Sequence, residues 1–253
     1  MGNDTDAFHE TPRRWSIARV IGYFTLVVVL FIGTEILVAV VMLVVQSAAT
    51  PDFDVTEWSH RLVSNGLFLS LATLATAVVC VPFVGFLVGR RESDPWHFLA
   101  LRWVGARSIA IWVLVMAALV VVLDTVTVAI GRPLVPEFMV ENYVSARHPA
   151  VLLVALALAA PLFEEIFFRG FLLSSLTSAG VPAIVSAILS SLAWAMVHLQ
   201  YDLLDIATIF VMGLLLAAVR FRTHSIAPCL AMHSLVNVIA FCEVAFLAHS
   251  AVV

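Results

Sequence analysis

The sequence predicts an all-α, polytopic membrane helix bundle, on three observations. Hydrophobic residues make up 62% of the 253-residue chain and charged residues only 12%, whereas a soluble domain has roughly 25% charged residues. The mean hydropathy is +1.08. The apolar residues gather in runs of about 20, the length that crosses the hydrocarbon core as a helix. We therefore expect the lipid bilayer as a partner and no nucleic acid.

Seven apolar runs are candidate transmembrane helices, and the last can also be a span plus a short re-entrant tail, which would make eight. The first run is too long for the hydrophobic region of a cleavable signal peptide, so we expect it to be retained. The predicted division is a cytoplasmic tail at 1–18, three N-terminal spans within 19–148 and a catalytic helix bundle at 149–253. The seven runs are 20–46, 62–89, 108–130, 149–174, 182–201, 203–219 and 225–248.

Arginine placement predicts the orientation, because cytoplasmic loops of membrane proteins carry an excess of basic residues. In the seven-span arrangement nine arginines fall on one side and three on the other. We therefore expect an integral protein of a bacterial plasma membrane with its N-terminus in the cytoplasm. The nine are Arg13, Arg14, Arg19, Arg90, Arg91, Arg102, Arg107, Arg220 and Arg222, and the three are Arg61, Arg132 and Arg147.

Ionisable side chains stand within the fourth span, where each costs roughly 2.5–3.5 kcal/mol on insertion scales. Glu164 and Glu165 are adjacent and point about 100° apart on an α-helix. Glu165 and Arg169 are four residues apart on one face, which permits an ion pair. Glu164 has Phe168 at the same spacing. We predict a structural Glu165–Arg169 pair and a Glu164 available for chemistry; the alternative is that Arg169 only offsets the two glutamates during insertion.

Two further polar clusters fall in later spans. His198 closes the fifth span, and His233 and Asn237 share one face of the seventh because they are four residues apart. At 1.5 Å per residue from the cytoplasmic ends, Glu164, His233 and Asn237 lie about 12–18 Å deep and His198 about 24 Å deep. Taken alone, each fits a helix–helix hydrogen bond. Taken together, they predict an intramembrane hydrolytic site.

The three clusters resemble the signature of the CPBP family, which comprises the CAAX prenyl endopeptidases and the bacterial bacteriocin-processing and self-immunity (Abi) proteins. The resemblance rests on three motifs, Glu164-Glu165-x-x-x-Arg169, Trp194-x-x-x-His198 and His233-x-x-x-Asn237. The resemblance covers about residues 149–240, and the first three spans match nothing specific. Trp194 stands where phenylalanine is common in the family.

The resemblance implies a role for each site residue. Glu164 would be the general base that activates water, assisted by His198. His233 and Asn237 would stabilise the oxyanion of the tetrahedral intermediate, where preformed donors are worth about 2.7–4 kcal/mol each. The Glu165–Arg169 pair would hold the first carboxylate and its helix in place.

A metal-dependent mechanism is the alternative to this glutamate mechanism. Glu164, His198 and His233 match a zinc site with two histidines, one carboxylate and water as fourth ligand, and members of the family are often labelled metalloproteases. The chain lacks the His-Glu-x-x-His pair that usually carries such zinc chemistry. We therefore expect no cofactor, with zinc at these three residues as the alternative.

The predicted function is an intramembrane endopeptidase that uses glutamate-activated water to cut a membrane-associated or lipidated peptide, or a membrane protein, on the cytoplasmic side. The alternative is a non-catalytic bacteriocin self-immunity or scaffold protein that binds a partner through the same bundle. The full polar set favours the enzyme, because a degenerate relative would have lost at least one of the six residues. A small transporter is disfavoured, since the sequence has no repeated halves or paired broken helices.

Overall fold

The computed structural model describes residues 15–250, and this part of the chain folds into helices without any β-strand. Residues 1–14 of the predicted tail, with Arg13 and Arg14, lie outside the described residues. The helices are α1 Ile17–Ala49, α2 Val55–Arg61, α3 Gly66–Gly89, α4 Pro95–Phe98, α5 Ala106–Ala129, α6 Glu137–Ser145, α7 Pro149–Ser178, α8 Ala183–Met196, α9 Leu203–Thr223 and α10 Ala227–Ser250.

Six of the helices described in residues 15–250 are long and apolar enough to cross a membrane, namely α1, α3, α5, α7, α9 and α10. This confirms the predicted polytopic helical bundle. The fifth predicted span differs, because α8 has only 14 residues. That length corresponds to about 21 Å of helix, against a hydrocarbon core of about 30 Å. Within residues 15–250, six full-length helices and one short helix thus stand where seven spans were predicted.

Helix α8 ends before the apolar run does, for a local reason that a hydropathy profile does not show. Apolar side chains continue past Met196, so the hydrophobic run extends to residue 201. The backbone nevertheless turns after Met196, and Asp202 begins the next helix by accepting the backbone N–H groups of Leu204 and Asp205. A capping aspartate at this position fixes the start of α9 and leaves residues 197–201 as a turn.

Helix α7 lies at the centre of the bundle. Of its most apolar stretch, 56% is buried, against 11–33% for the other five long helices. Phe163 and Phe167 of α7 stack on Phe31 and Phe24 of α1, with ring centroids 5.9 Å and 5.2 Å apart. The ionisable residues of α7 are therefore surrounded by protein rather than by lipid.

Helix α7 contains two π-helical stretches, Ala155–Ala159 and Glu165–Leu172. In a π-helix the hydrogen bonds reach five residues back instead of four, and short π stretches inside α-helices are frequent at functional sites. Pro161 lies between the two stretches. A proline inside a helix removes one N–H and clashes with the carbonyl four residues earlier, which gives a reason for the irregular winding.

The two ends of the bundle are built differently. The arginine-rich end is made of the α3–α5, α7–α8 and α9–α10 connections, and the opposite end, here called the α6 end, is made of α2, α6 and the α8–α9 turn. Helix α6 packs on the start of α3, where the N–H of Gly66 donates to Ser145 Oγ at 2.9 Å. A Cβ on Gly66 would lie 1.8 Å from the carbonyl oxygen of Asn142, so only glycine permits this packing.

The arginine-rich end is sealed by a chain segment that follows α4. Leu99 and Ala100 in this segment are only 1% and 2% exposed. The carbonyl of Ala100 accepts the N–H of Ile226 at 3.0 Å. Gly170 of α7 approaches so closely that a Cβ there would lie 3.1 Å from the carbonyl oxygen of Leu99. The α3–α5 and α9–α10 connections are thus tied to each other, and the first of them packs closely against α7.

Candidate functional site

The centre of the candidate site is a buried ion pair on α7. Glu165 and Arg169 are both 0% exposed, and Nη1 of Arg169 lies 3.1 Å from Oε1 of Glu165. The guanidinium carbon of Arg169 also lies 4.3 Å from the ring centre of Trp194, a distance typical of a cation–π contact. The spacing-based ion pair is therefore present, and its cation is additionally covered by an indole ring.

His233 of α10 lies between the two adjacent glutamates of α7. Its Nδ1 is 2.9 Å from Oε1 of Glu165, and its Nε2 is 3.8 Å from Oε2 of Glu164. The short contact identifies Nδ1–H as the donor to Glu165, because a carboxylate oxygen accepts. The nitrogen Nε2 is then oriented toward Glu164, and one imidazole joins both carboxylates.

Trp194 of α8 binds the remaining carboxylate, because its indole N–H donates to Oε2 of Glu164. The same ring packs edge-on against His233 and His198, with centroids 5.1 Å and 5.5 Å apart. A Cβ on Gly213 of α9 would lie 3.1 Å from the Trp194 ring, so α9 closely backs the indole. Sequence reasoning used Trp194 only as a motif position and missed this hydrogen bond.

His198 lies in the turn that follows α8. Its Nδ1 is 2.9 Å from the carbonyl oxygen of Trp194, so Nδ1 carries the hydrogen and Nε2 is the nitrogen that remains for chemistry. His198 does not continue a full-length span but sits beyond the end of a short helix, beside Trp194.

Asn237 faces a different part of α7 from His233, although both belong to one helix face. Its Nδ2 donates to the carbonyl of Leu156 at 2.7 Å. The N–H of Ala160 donates to Ala155, five residues back, and by this pattern the Leu156 carbonyl would need the N–H of Pro161, which has none. Asn237 thus donates to the Leu156 carbonyl the hydrogen bond that the backbone of α7 cannot provide. The second hydrogen of the same amide stays available.

Two cavities meet at these residues. The larger, of about 570 Å³, lies among α1, α3, α6, α7 and α10 and is lined by Glu164. The smaller, of about 190 Å³, lies among α5, α9, α10 and the segment before α6. His198, His233 and Asn237 line both cavities. The site residues therefore form a wall with open space on either side, which suits an extended substrate.

Tyr201 also lines both cavities and was missed by sequence reasoning because it lies outside every motif. Its ring packs on Phe138 of α6, with centroids 4.9 Å apart, and lies 6.1 Å from the ring of His198. Burial raises the pKa of Tyr201 to about 12, with further contributions from the charges of Asp205 and Glu164. The phenol therefore stays protonated at neutral pH.

The two histidines of the zinc alternative each make a hydrogen bond through Nδ1. Among residues 15–250, no group of three or more His, Cys, Asp or Glu side chains is placed to hold a metal ion. His233 directs Nδ1 to Glu165 at hydrogen-bond distance, and His198 directs Nδ1 to a backbone carbonyl. Both hydrogen bonds use Nδ1, and histidines that bind a metal through Nε2 usually make such a bond, so the zinc alternative stays a prediction.

Comparison with known proteins identifies the family. The family described as "Type II CAAX prenyl endopeptidase Rce1-like" matches residues 146–239, which contain all six predicted site residues. The chain is 31% identical over 175 residues to a protein of Escherichia coli named "Uncharacterized 24.3 kDa protein", covering 67% of this chain and 76% of that protein. The chain belongs to the CPBP family. No solved structure matches this CPBP member.

The CPBP assignment confirms the resemblance drawn from the three motifs. At the family level it places the chain among CAAX-type membrane endopeptidases, and the six long apolar helices make it an integral membrane protein. The matched residues 146–239 run from the end of α6 into α10. They include every residue that contacts the Glu164–Glu165–His233 cluster described above, so the polar cluster lies within the part of this CPBP member that matches the family.

Proposed function

We propose that this CPBP member is an intramembrane endopeptidase that hydrolyses a peptide bond of a membrane-associated or lipidated peptide with water activated by Glu164. The observation that carries the proposal is the position of Glu164. Its carboxylate lies 3.8 Å from Nε2 of His233, accepts the indole N–H of Trp194 and lines the larger cavity. A carboxylate held by donors beside open space is suited to act on a bound water.

The reaction then runs in two balanced steps. In the first, the water oxygen forms a bond to the carbonyl carbon, the carbonyl π pair moves to oxygen, and the water proton passes to Glu164. In the second, the oxyanion re-forms the carbonyl, the carbon–nitrogen bond breaks, and Glu164 returns the proton to the leaving amine. His198, which lines both cavities, assists by orienting the water.

The developing oxyanion needs donors, and two side chains on α10 can supply them. Asn237 uses one amide hydrogen for Leu156 and has a second one to give. His233 donates from Nε2 when it is protonated. Each such donor is worth about 2.7–4 kcal/mol in the transition state.

The Glu165–Arg169 pair acts one step away from the chemistry. It fixes Nδ1 of His233 through Glu165 and stacks Arg169 on the indole that holds Glu164. Glu165 and Arg169 are positioning residues in this proposal. Removing either residue leaves the other charge buried without its ion-pair partner, which costs about 3–5 kcal/mol.

A metal-assisted route remains the competing proposal for the same site. Zinc would be held by Glu164, His198 and His233 and would supply a water that ionises near neutral pH. The Nδ1 hydrogen bonds of both histidines fit either route, because a histidine that binds a metal through Nε2 usually makes the same kind of bond from Nδ1. The amide of Asn237 on the same helix face as His233 is the ground on which we prefer the metal-independent route, since an amide is not a usual zinc ligand.

The experiment that tests the function compares wild type with Glu164→Gln in cells. New peptide N-termini in the membrane fraction are identified by mass spectrometry, and matching synthetic peptides are then incubated with purified protein in liposomes. Glu57→Gln is the matched control, because Glu57 is an exposed surface glutamate paired with Arg61. We expect cleavage by wild type and by the control, and intact peptide bound to Glu164→Gln.

Two outcomes would contradict the proposal. Purified Glu164→Gln that still cleaves the peptide would remove this residue from the role of general base. If wild type and Glu164→Gln bind the same partner and neither cleaves it, the non-catalytic immunity or scaffold alternative holds instead.

A further inference from the structure

Both cavities extend from the site toward the same end of the bundle. The larger is lined near its far end by Val63, before α3, and by Gln200, in the α8–α9 turn. The smaller reaches Leu134 before α6 and Asp205 at the start of α9. All four positions belong to the α6 end. In the described part of the chain, no residue of the arginine-rich connections lines either cavity.

Below the site, toward the arginine-rich end, the bundle is closed. Phe168 and Phe171 of α7 are each 1% exposed, as are Leu216 of α9 and Ile226 before α10. The segment around Leu99 packs under this layer and bonds to the α9–α10 turn. A substrate approaching from the arginine-rich end would have to displace this whole layer, whereas the α6 end already offers open space.

Charge indicates which compartment each end faces. Among the described residues, the arginine-rich end carries seven arginines and the α6 end three, and basic residues accumulate on the cytoplasmic side of a membrane protein. The α6 end also carries acidic residues, and one of them, Asp202, forms an ion pair with Arg132 of the same end. The two cavities therefore face away from the cytoplasm.

We propose that substrate reaches the Glu164–His233 site from the non-cytoplasmic side, through the two cavities beneath α6. This inference rests on the proposed function for what the substrate is, whereas the route itself rests on the placement of the cavities and of the arginines. It reverses the cytoplasmic-side cleavage expected from the sequence. The substrate class is then a membrane-associated peptide whose scissile segment lies at the outer face, such as an exported peptide that is still anchored in the bilayer.

The route is tested by thiol accessibility in a Cys242→Ala parent, because the other two cysteines are buried. Single cysteines replace Thr73 in the larger cavity, Thr208 in the smaller one and Ala240, which lines both. Exposed reference positions are Ser59 on α2, at the α6 end, and Ser93, at the arginine-rich end. A membrane-impermeant maleimide is applied to spheroplasts and to inverted membrane vesicles, and detergent-solubilised protein confirms that every thiol can react.

We expect the three cavity cysteines to be labelled together with Ser59→Cys in spheroplasts and to stay unlabelled in inverted vesicles, where Ser93→Cys reacts. Labelling of the cavity cysteines in inverted vesicles would overturn the proposal. Labelling of Ser59→Cys in inverted vesicles but not in spheroplasts would also overturn it, because the α6 end would then face the cytoplasm. Cavity cysteines that react in detergent but in neither membrane preparation would also overturn it. Repeating the labelling with Glu164→Gln separates the route from the chemistry, since labelling requires no catalysis.

Discussion

Asn237 donates an amide hydrogen to the carbonyl of Leu156 across 2.7 Å, and the reason lies in the sequence of α7 rather than of α10. The π-helical winding before Pro161 assigns the Leu156 carbonyl to a residue that has no N–H. The side chain of another helix completes the bond. A residue that the family resemblance places at the oxyanion is therefore also a structural part of the central helix.

The two roles of Asn237 can be separated by restoring the missing hydrogen on α7. We expect Asn237→Ala to lose about 1–3 kcal/mol of stability, because it leaves a buried carbonyl unsatisfied, and to lose cleavage as well. Pro161→Ala together with Asn237→Ala supplies a backbone N–H and should recover the thermal midpoint in detergent without recovering cleavage. Recovery of both would show that Asn237 acts only through the fold.

Arg169→Ala should lower the amount of protein in the membrane as well as its activity. The change leaves Glu165 in a fully buried site with only His233 as partner, at a cost of about 3–5 kcal/mol. The double change Glu165→Gln with Arg169→Gln removes both charges and should recover abundance, measured by quantitative immunoblotting of membranes. Unchanged abundance of the single variant would contradict the ion-pair interpretation.

Trp194→Phe should keep the ring that covers Arg169 but lose the N–H that Glu164 accepts. A hydrogen bond to a charged group contributes about 1.5–3 kcal/mol, so we expect kcat to fall by about tenfold or more with KM and thermal midpoint nearly unchanged. Trp194→Ala, which removes the ring as well, should lower the midpoint. Equal kcat values for wild type and Trp194→Phe would remove the indole N–H from the mechanism.

Metal removal separates the two chemical routes. If Glu164 activates water without a metal, prolonged chelation should leave the cleavage rate intact, and elemental analysis of purified protein should find far less than one zinc per chain. If Glu164, His198 and His233 hold zinc, chelation abolishes activity, added zinc restores it, and His233→Ala loses the bound metal. Stoichiometric zinc that disappears with His233→Ala would replace our mechanism with that of a metalloprotease.

The sequence was sufficient for the features that depend on local spacing or on composition. Hydropathy predicted the membrane bundle, and the four-residue spacing of Glu165 and Arg169 predicted their contact. Other features depend on the rest of the fold. The π-helical turns of α7 and the position of Tyr201 require knowledge of neighbouring helices. The length of α8 was hidden because Val197 and Leu199 continue the apolar run beyond the helix end.

The shared face of His233 and Asn237 shows the limit of spacing arguments most clearly. Two side chains one helical turn apart were expected to converge on a single point. In the structure His233 contacts the two glutamates, whereas Asn237 contacts the carbonyl of Leu156, about two helical turns before them along α7. Periodicity identified the face correctly, but the partners were decided by the irregular winding of the helix opposite.

The shortness of α8 has a consequence for the surrounding lipid. Its outer face is apolar, with Ile184 76% exposed and Leu192 47% exposed, yet the helix is about 21 Å long. Hydrophobic mismatch of this kind is relieved when the bilayer thins locally, at a fraction of a kcal/mol per Å. We expect cleavage in liposomes to be faster with short-chain than with long-chain phosphatidylcholine at equal protein stability. Membrane thickness would then set the working rate of the enzyme without any lipid occupying its site.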